Sequence, residues 1–216
     1  MVQIKHRETG EVIFESSDKS FRGISLVNRN LAGANLAGLD FTNADLRNCN
    51  LNDTDCRQTN FSHASLQNTV LNRAHLQQAI LDGADCSDMT ALNAMMCGVS
   101  AINASFRYAK LNNTNLSKSN FSKSDLSFAE LRATMQHVNF DHANLYGTDL
   151  TDADLTESDL RHANMTSAKI MNAKFNEAQM EGSIGVYGQK FGTTGPFKLK
   201  PKKRPWWQMF GGRATN

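Results

Sequence analysis

An apolar residue returns at every fifth position through most of this chain. The stretch AGANLAGLDFTNADLRNCNLNDTDC places Leu36, Phe41, Leu46, Leu51 and Cys56 five apart, with small residues such as Ala34, Ala44, Cys49 and Thr54 two places earlier. The series starts at Phe21 and keeps its register to Leu131, passing through Cys86, Ala91, Met96 and Ala101 on the way. An amphipathic helix repeats at about 3.6 residues and a half-buried strand at about 2, so a period of five excludes both ordinary elements. A fixed short period also points to a solenoid built from stacked repeats, each of which buries its apolar face only against its neighbours.

The recurring unit reads A(D/N)LXX, and over about 19–183 it resembles the pentapeptide-repeat family. That resemblance implies an all-β fold, a right-handed four-sided (quadrilateral) β-helix with one pentapeptide per side and four per coil. The central Leu or Phe would fill the interior, the small residue two before it would also point inward, and the other three positions would face water. This accounts for a hydrophobic fraction of only 40% and a mean hydropathy of −0.47.

After Leu131 the inward series resumes at Met135 and Phe140, one residue early, which predicts a local corner defect near Arg132 and no domain boundary. Folded onto four sides, Phe21, Phe41, Phe61, Phe121 and Phe140 fall in one interior ladder, where offset stacking is favourable. Where the central residues shrink to Ala91 and Ala101, Met89 and Val99 take the normally small places, a compensation of volume. About eight coils at roughly 4.8 Å each give a rod about 40 Å long.

Three segments follow. Residues 1–16 read as a β-hairpin capping the N-terminal end, 17–183 as the solenoid, and 184–216 as a basic, aromatic, Pro/Gly-rich tail. Lys19 and Arg29 stand at places expected to be small and inward, so the first coils are expected to be imperfect. The apolar residues of 184–197 are expected to help cover the C-terminal end. The tail carries seven Lys and Arg and no acid, while 1–183 holds 16 cations against 21 acids. The body is mildly acidic and the tail strongly basic. No run approaches the roughly 20 apolar residues of a membrane-spanning helix, and the N-terminus lacks a signal-peptide pattern, so the expected compartment is the cytoplasm.

A filled rod without long insertions offers no pocket in which catalytic groups converge, so we expect no enzyme, cofactor or metal. Cys49, Cys56 and Cys86 take inward places, and outward Cys97 has no activating neighbour in sequence. His142 and His162 share an outward column with Lys123 before them, an arrangement more typical of solvated surface than of a site. Binding surfaces have more support. Tyr108 and Phe128 replace the Asn28, Asn48 and Asn68 of one outward column, and Tyr146 lies one place off in the next coil. Exposed aromatic patches mark interfaces. Leu92 and Met95 form a weaker second patch. In the tail, Lys202, Lys203, Arg204, Trp206, Trp207 and Phe210 combine cations with aromatics, which suits docking onto a protein, an anionic membrane surface or, less well, nucleic acid.

The function expected from these features is a non-enzymatic interaction, scaffold or assembly protein, a virion component being one form. Its rod presents the aromatic column, and its tail docks onto a protein partner or another copy. Two alternatives remain. The family resemblance implies a DNA-mimicking protein that binds gyrase or topoisomerase and protects against quinolones or toxins, although this body is only mildly acidic. The tail alone implies association with a membrane surface.

Overall fold

The computed structural model describes residues 1–192. Each pentapeptide makes one side of a coil and then turns. The turn closes when the N–H three places after a central residue bonds that residue's carbonyl, as from Ala44 to Phe41 (2.9 Å) and from Ala64 to Phe61 (3.0 Å). Its third residue holds a positive φ, 59° at Asn43 and 58° at Asn48, which is the demand a type II turn makes. The Asp or Asn before each centre has a mechanical task here. Its side-chain oxygen accepts the backbone N–H two residues on, from Arg47 to Asp45 (3.2 Å), Ser62 to Asn60 (2.9 Å) and Ser87 to Asp85 (3.0 Å).

Successive coils are joined by parallel bridges that link each such residue to the one twenty places later, from Ser25 with Asp45 to Asn164 with Ile184. The result is a four-sided β-helix with no helix among the described residues, and hence none there long and apolar enough to cross a membrane. Inside, Phe41, Phe61, Phe121 and Phe140 are buried. Ring centroids lie 5.6 Å apart for Phe41–Phe61 and 5.7 Å for Phe121–Phe140, and Phe106 meets Phe121 edge-on from the next side at 5.3 Å. Hydroxyls at the small inward places are satisfied by backbone carbonyls, Thr59 donating to Leu36 at 2.8 Å and Ser119 to Met96 at 2.8 Å. Met89 and Val99 are buried beside Ala91 and Ala101, the volume exchange read from the sequence.

The register slip lies where the inward series breaks. Four bridges, from Asn115 with Thr134 to Glu130 with Asp149, span nineteen residues, and the spacing of twenty returns at Thr134 with Asp154. The shortened corner is held by Arg132, whose guanidinium donates to the Asp149 carboxylate at 2.8 and 3.2 Å while its backbone N–H reaches Asn112 Oδ1.

At the N-terminal end, β1 (Val2–His6) and β2 (Val12–Ser16) form an antiparallel hairpin. β1 also pairs antiparallel with β3 (Ala34–Asn35) in the first full coil, burying Ile4. Lys19 and Arg29 do not point inward: both are exposed, and the Arg29 guanidinium lies 5.7 Å from the Phe14 ring of the hairpin. Inside, a guanidinium would have had to shed its hydration unpaired, so the chain turns it out and uses it to cover the cap. At the other end the backbone folds back, with Ile184 bridged antiparallel to Lys190 and the Phe191 N–H bonded to Ser183 O at 3.0 Å.

The slip generates a prediction. Burial works to raise the Asp149 carboxyl, but bonds from Thr151 and Arg132 overcome it and hold the group at about 2, against an ordinary 3.8. A depressed folded value means that the contribution is present above the ordinary value and lost as pH falls toward the folded one. Urea denaturation of wild type and Asp149→Asn should therefore show the wild type more stable at neutral pH, the difference closing between about pH 4 and about pH 2.

Candidate protein-interaction face

One outward column on the side whose centres include Phe106 and Leu126 runs Asn28, Asn48, Asn68, Asp88, Tyr108, Phe128, Gly147, Ser167, Tyr187. Its first members are polar and pair along the rod, Asn48 Nδ2 donating to Asn28 Oδ1 at 3.0 Å. At Tyr108 and Phe128 the column becomes aromatic. The Tyr108 and Phe128 rings stack at 5.2 Å with 5° between their planes, and Tyr146 meets Phe128 edge-on at 5.4 Å and 84°. All three remain well exposed, at 47%, 44% and 39%. The three aromatics picked out in the sequence are therefore one continuous ladder.

The ladder occupies costly backbone. Tyr108 and Phe128 hold φ of 58° and 60°, the left-handed region that bulky side chains ordinarily avoid. Gly147 makes room for it, because a Cβ there would lie 2.8 Å from Phe128 Cδ1 and Cε1. In the adjacent column Ser127 is buried, and its hydroxyl makes no hydrogen bond to the described residues. Arg107 completes the face with its guanidinium 5.8 Å from the Tyr108 ring. Two participants escaped the sequence reading. Arg107 is adjacent to Tyr108, and Tyr187, 88% exposed, falls in the same column once the slip is counted.

The other expected features fall as follows. Met95 is 46% exposed and Leu92 half-buried, with Gln77 Nε2 3.5 Å from the Met95 sulfur. Cys49, Cys56 and Cys86 are buried, and burial pushes the Cys56 thiol up to about 12 and the other two upward as well, so none of them is an activated thiolate. Cys97 is half-buried. Lys202, Lys203, Arg204, Trp206, Trp207 and Phe210 lie outside the described residues. A cleft of about 660 Å³ opens between the hairpin and the first coil, lined by Phe14, Asp18, Lys19, Arg22, Ile24 and Arg29 among others. Its lining includes no histidine or cysteine, and Arg22 is already engaged by Asp40 at 2.7 Å.

Comparison with known proteins agrees with this geometry. A family model described as pentapeptide repeats matches residues 20–53, 59–90, 102–134, 131–152 and 148–184, in eight copies. No curated protein matches the chain in sequence. Among solved structures, HetL, a pentapeptide repeat protein involved in heterocyst differentiation regulation in the cyanobacterium Nostoc sp. strain PCC 7120, is 25% identical. The match covers 81% of this chain and 94% of HetL, with a TM-score of 0.40. A trypsin-treated form of QnrB1, a plasmid-mediated fluoroquinolone resistance protein, is 21% identical over 76% of this chain and 86% of its own, with a TM-score of 0.55. Full-length QnrB1 is 15% identical over 79% and 85%, with a TM-score of 0.50. At these identities the QnrB1 overlaps establish a shared fold and nothing further.

Two glycines isolate the ring contact experimentally. Gly147 and Gly38 have nearly equal φ, 67° and 68°, but a Cβ at Gly38 would meet nothing within 4 Å. Gly38→Ala should cost only the left-handed backbone penalty of about 1–2 kcal/mol. Gly147→Ala should cost measurably more in urea denaturation, because it must also move the Phe128 ring.

Proposed function

The chain belongs to the pentapeptide-repeat family, whose members form right-handed quadrilateral β-helices, and from that premise we propose that it is a non-enzymatic interaction protein of the cytoplasm. Its rod holds a protein partner on the Arg107, Tyr108, Phe128 and Tyr146 face. The observation that carries this reading is the aromatic ladder standing at positive φ in solvent. Elsewhere, Tyr187 apart, the same column uses Asn, Asp, Ser and Gly, residues that suit the backbone and water better. Aromatic surface with an adjacent Arg is the composition of interface hot spots. The basic aromatic tail with Trp206 and Trp207 acts in this reading as a second docking element, onto the partner or another copy. A scaffold or assembly component is the form of function that suits a stiff rod with two contact elements.

The DNA-mimic reading has less support. A mimic of duplex DNA needs columns of unneutralised carboxylates. Here Asp40, Asp45, Asp53, Asp55, Asp125, Asp149 and Asp159 each sit within salt-bridge distance of an arginine. Three of those arginines, Arg47, Arg57 and Arg161, bind the Asp two residues back through two nitrogens.

The test compares wild type with a Tyr108→Asn, Phe128→Asn double variant and a Trp206→Ala, Trp207→Ala double variant. Asn suits the positive φ, so the first variant keeps the fold. Partners are captured from host lysate, identified by mass spectrometry and re-measured with purified protein. A purified partner whose affinity falls at least roughly tenfold in the ladder variant is expected. Equal affinity for wild type and ladder variant would remove the face from the account. Inhibition or protection of gyrase in a supercoiling assay, insensitive to the ladder variant, would replace the proposal with the mimic.

A further inference from the structure

On the side adjoining the ladder, Asp141, His142 and His162 bring three donor groups together on two successive coils, with their ligand atoms all within 4.8 Å of one another. We propose that these residues bind one divalent ion of the zinc, cobalt or nickel type, with Asp141 Oδ1, His142 Nε2 and His162 Nδ1 as donors. The inference does not depend on the aromatic face.

The positions are set by the backbone. Coil-to-coil bonds hold Lys123 N to Asp141 O (2.9 Å), His142 N to Arg161 O (3.0 Å) and His162 N to Glu181 O (3.0 Å). The two imidazoles stand one above the other in one column at φ of 58° and 57°, stacked 4.4 Å apart with 11° between planes. Asp141 Oδ1 lies 2.9 Å from His162 Nδ1 and 3.9 Å from His142 Nε2. Three donors around a tetrahedral zinc, with bonds of about 2.0–2.2 Å, sit about 3.3 Å from one another. The two separations from the Asp141 oxygen bracket that value and all three donors lie within 4.8 Å of one another, so binding one ion calls for each stacked ring to tilt toward it.

The charges around the site leave the carboxylate available. Among the described residues Asp141 makes no ion pair with Lys or Arg. The nearby Arg161 is held by Asp159 through two bonds, 2.9 and 2.6 Å. Lys123 precedes His142 in the column and opposes a cation there, but its ammonium stands on a flexible stem free to swing away. On the far side Gly182 leaves space for the His162 ring, a Cβ there lying 2.7 Å from Cδ2. Two imidazoles and one carboxylate suit borderline first-row metals and not calcium or magnesium, which prefer oxygen donors throughout. Three protein donors on an exposed surface also leave a coordination position open to water or to a side chain from a partner.

The experiment is calorimetric titration of the full chain with zinc chloride in chelating-agent-free buffer, repeated with cobalt chloride for its visible absorption. Wild type should bind one ion saturably. His142→Asn and His162→Asn use a residue the same column already holds at Asn43 and Asn103, and Asp141→Ser one that its own column holds at Ser62 and Ser122. Each should weaken binding by more than about tenfold, the loss that even an outer-shell partner causes. His63→Asn, in the same column but outside the cluster, should bind as wild type does. Circular dichroism checks that all four variants keep the fold. Absence of saturable binding, or binding unchanged in any one of the three site variants, overturns the proposal.

Discussion

The rod depends on one constraint: hydrogen bonds tie each residue to its counterpart on the next coil, about 4.8 Å away. Side chains of one column must therefore stack, whatever their chemistry. Inside, the result is the phenylalanine ladder. Outside, it is Asn28 with Asn48, Gln58 with Gln78, Asp53 with Arg73, and the two ring pairs Tyr108–Phe128 and His142–His162. A column is cheap to change, since the three outward places of each pentapeptide take no part in filling the core. It is also unforgiving, since a new side chain inherits the φ and the neighbours of its predecessor. Function on this scaffold amounts to a change of column chemistry along a fixed lattice.

The glycines follow the same logic. His63, Phe128 and His162 each lean toward the next coil, and the residue there is Gly83, Gly147 or Gly182. An added Cβ would lie 2.5 to 2.8 Å from the ring in all three cases. Three of the six rings at positive-φ places thus have a companion one coil later that lacks a side chain, while Tyr108, His137 and His142 are followed by Phe128, Glu157 and His162. The pairing is visible in the sequence as a ring followed by Gly after twenty residues, or nineteen across the slip.

Much of the fold could be read from the chain, because a five-residue period with inward Leu and Phe admits few architectures. The slip near Arg132, the phenylalanine ladder and the volume exchange at Met89 and Val99 all follow from counting. Counting failed where side-chain direction decides. Lys19 and Arg29 break the pattern at small inward places, as the expected imperfection of the first coils implies, but counting does not say that the cost of desolvating their charges turns them outward. Asp141 went unread because it lies in the column beside the histidines, and only the side-chain directions bring its carboxylate to them. Arg107 escaped for the same reason, since its position over the Tyr108 ring is a relation between columns.

The irregular features are not spread evenly. The corner defect at Arg132, the aromatic ladder from Tyr108 to Tyr146 and the Asp141–His142–His162 cluster all fall within the coils between Phe106 and Met165. Away from them the surface charge is muted, because Asp and Arg two residues apart cancel locally, as at Asp45–Arg47 and Asp55–Arg57. Such pairs add little stability when exposed, but they leave a weak long-range field. A partner approaching the rod would find little electrostatic steering along most of its length and would have to recognise shape and local chemistry. The slip contributes to that chemistry directly. Because one residue is missing after Leu131, Gly147 stands in column with Phe128, where an uninterrupted count of twenty would place Thr148. Gly147 leaves room for the Phe128 ring, and Tyr146, one place before it, meets that ring by its edge. A deletion that a packed domain would have to absorb as strain is taken up here at one corner, after which the spacing of twenty returns and every later pentapeptide keeps its inward and outward places.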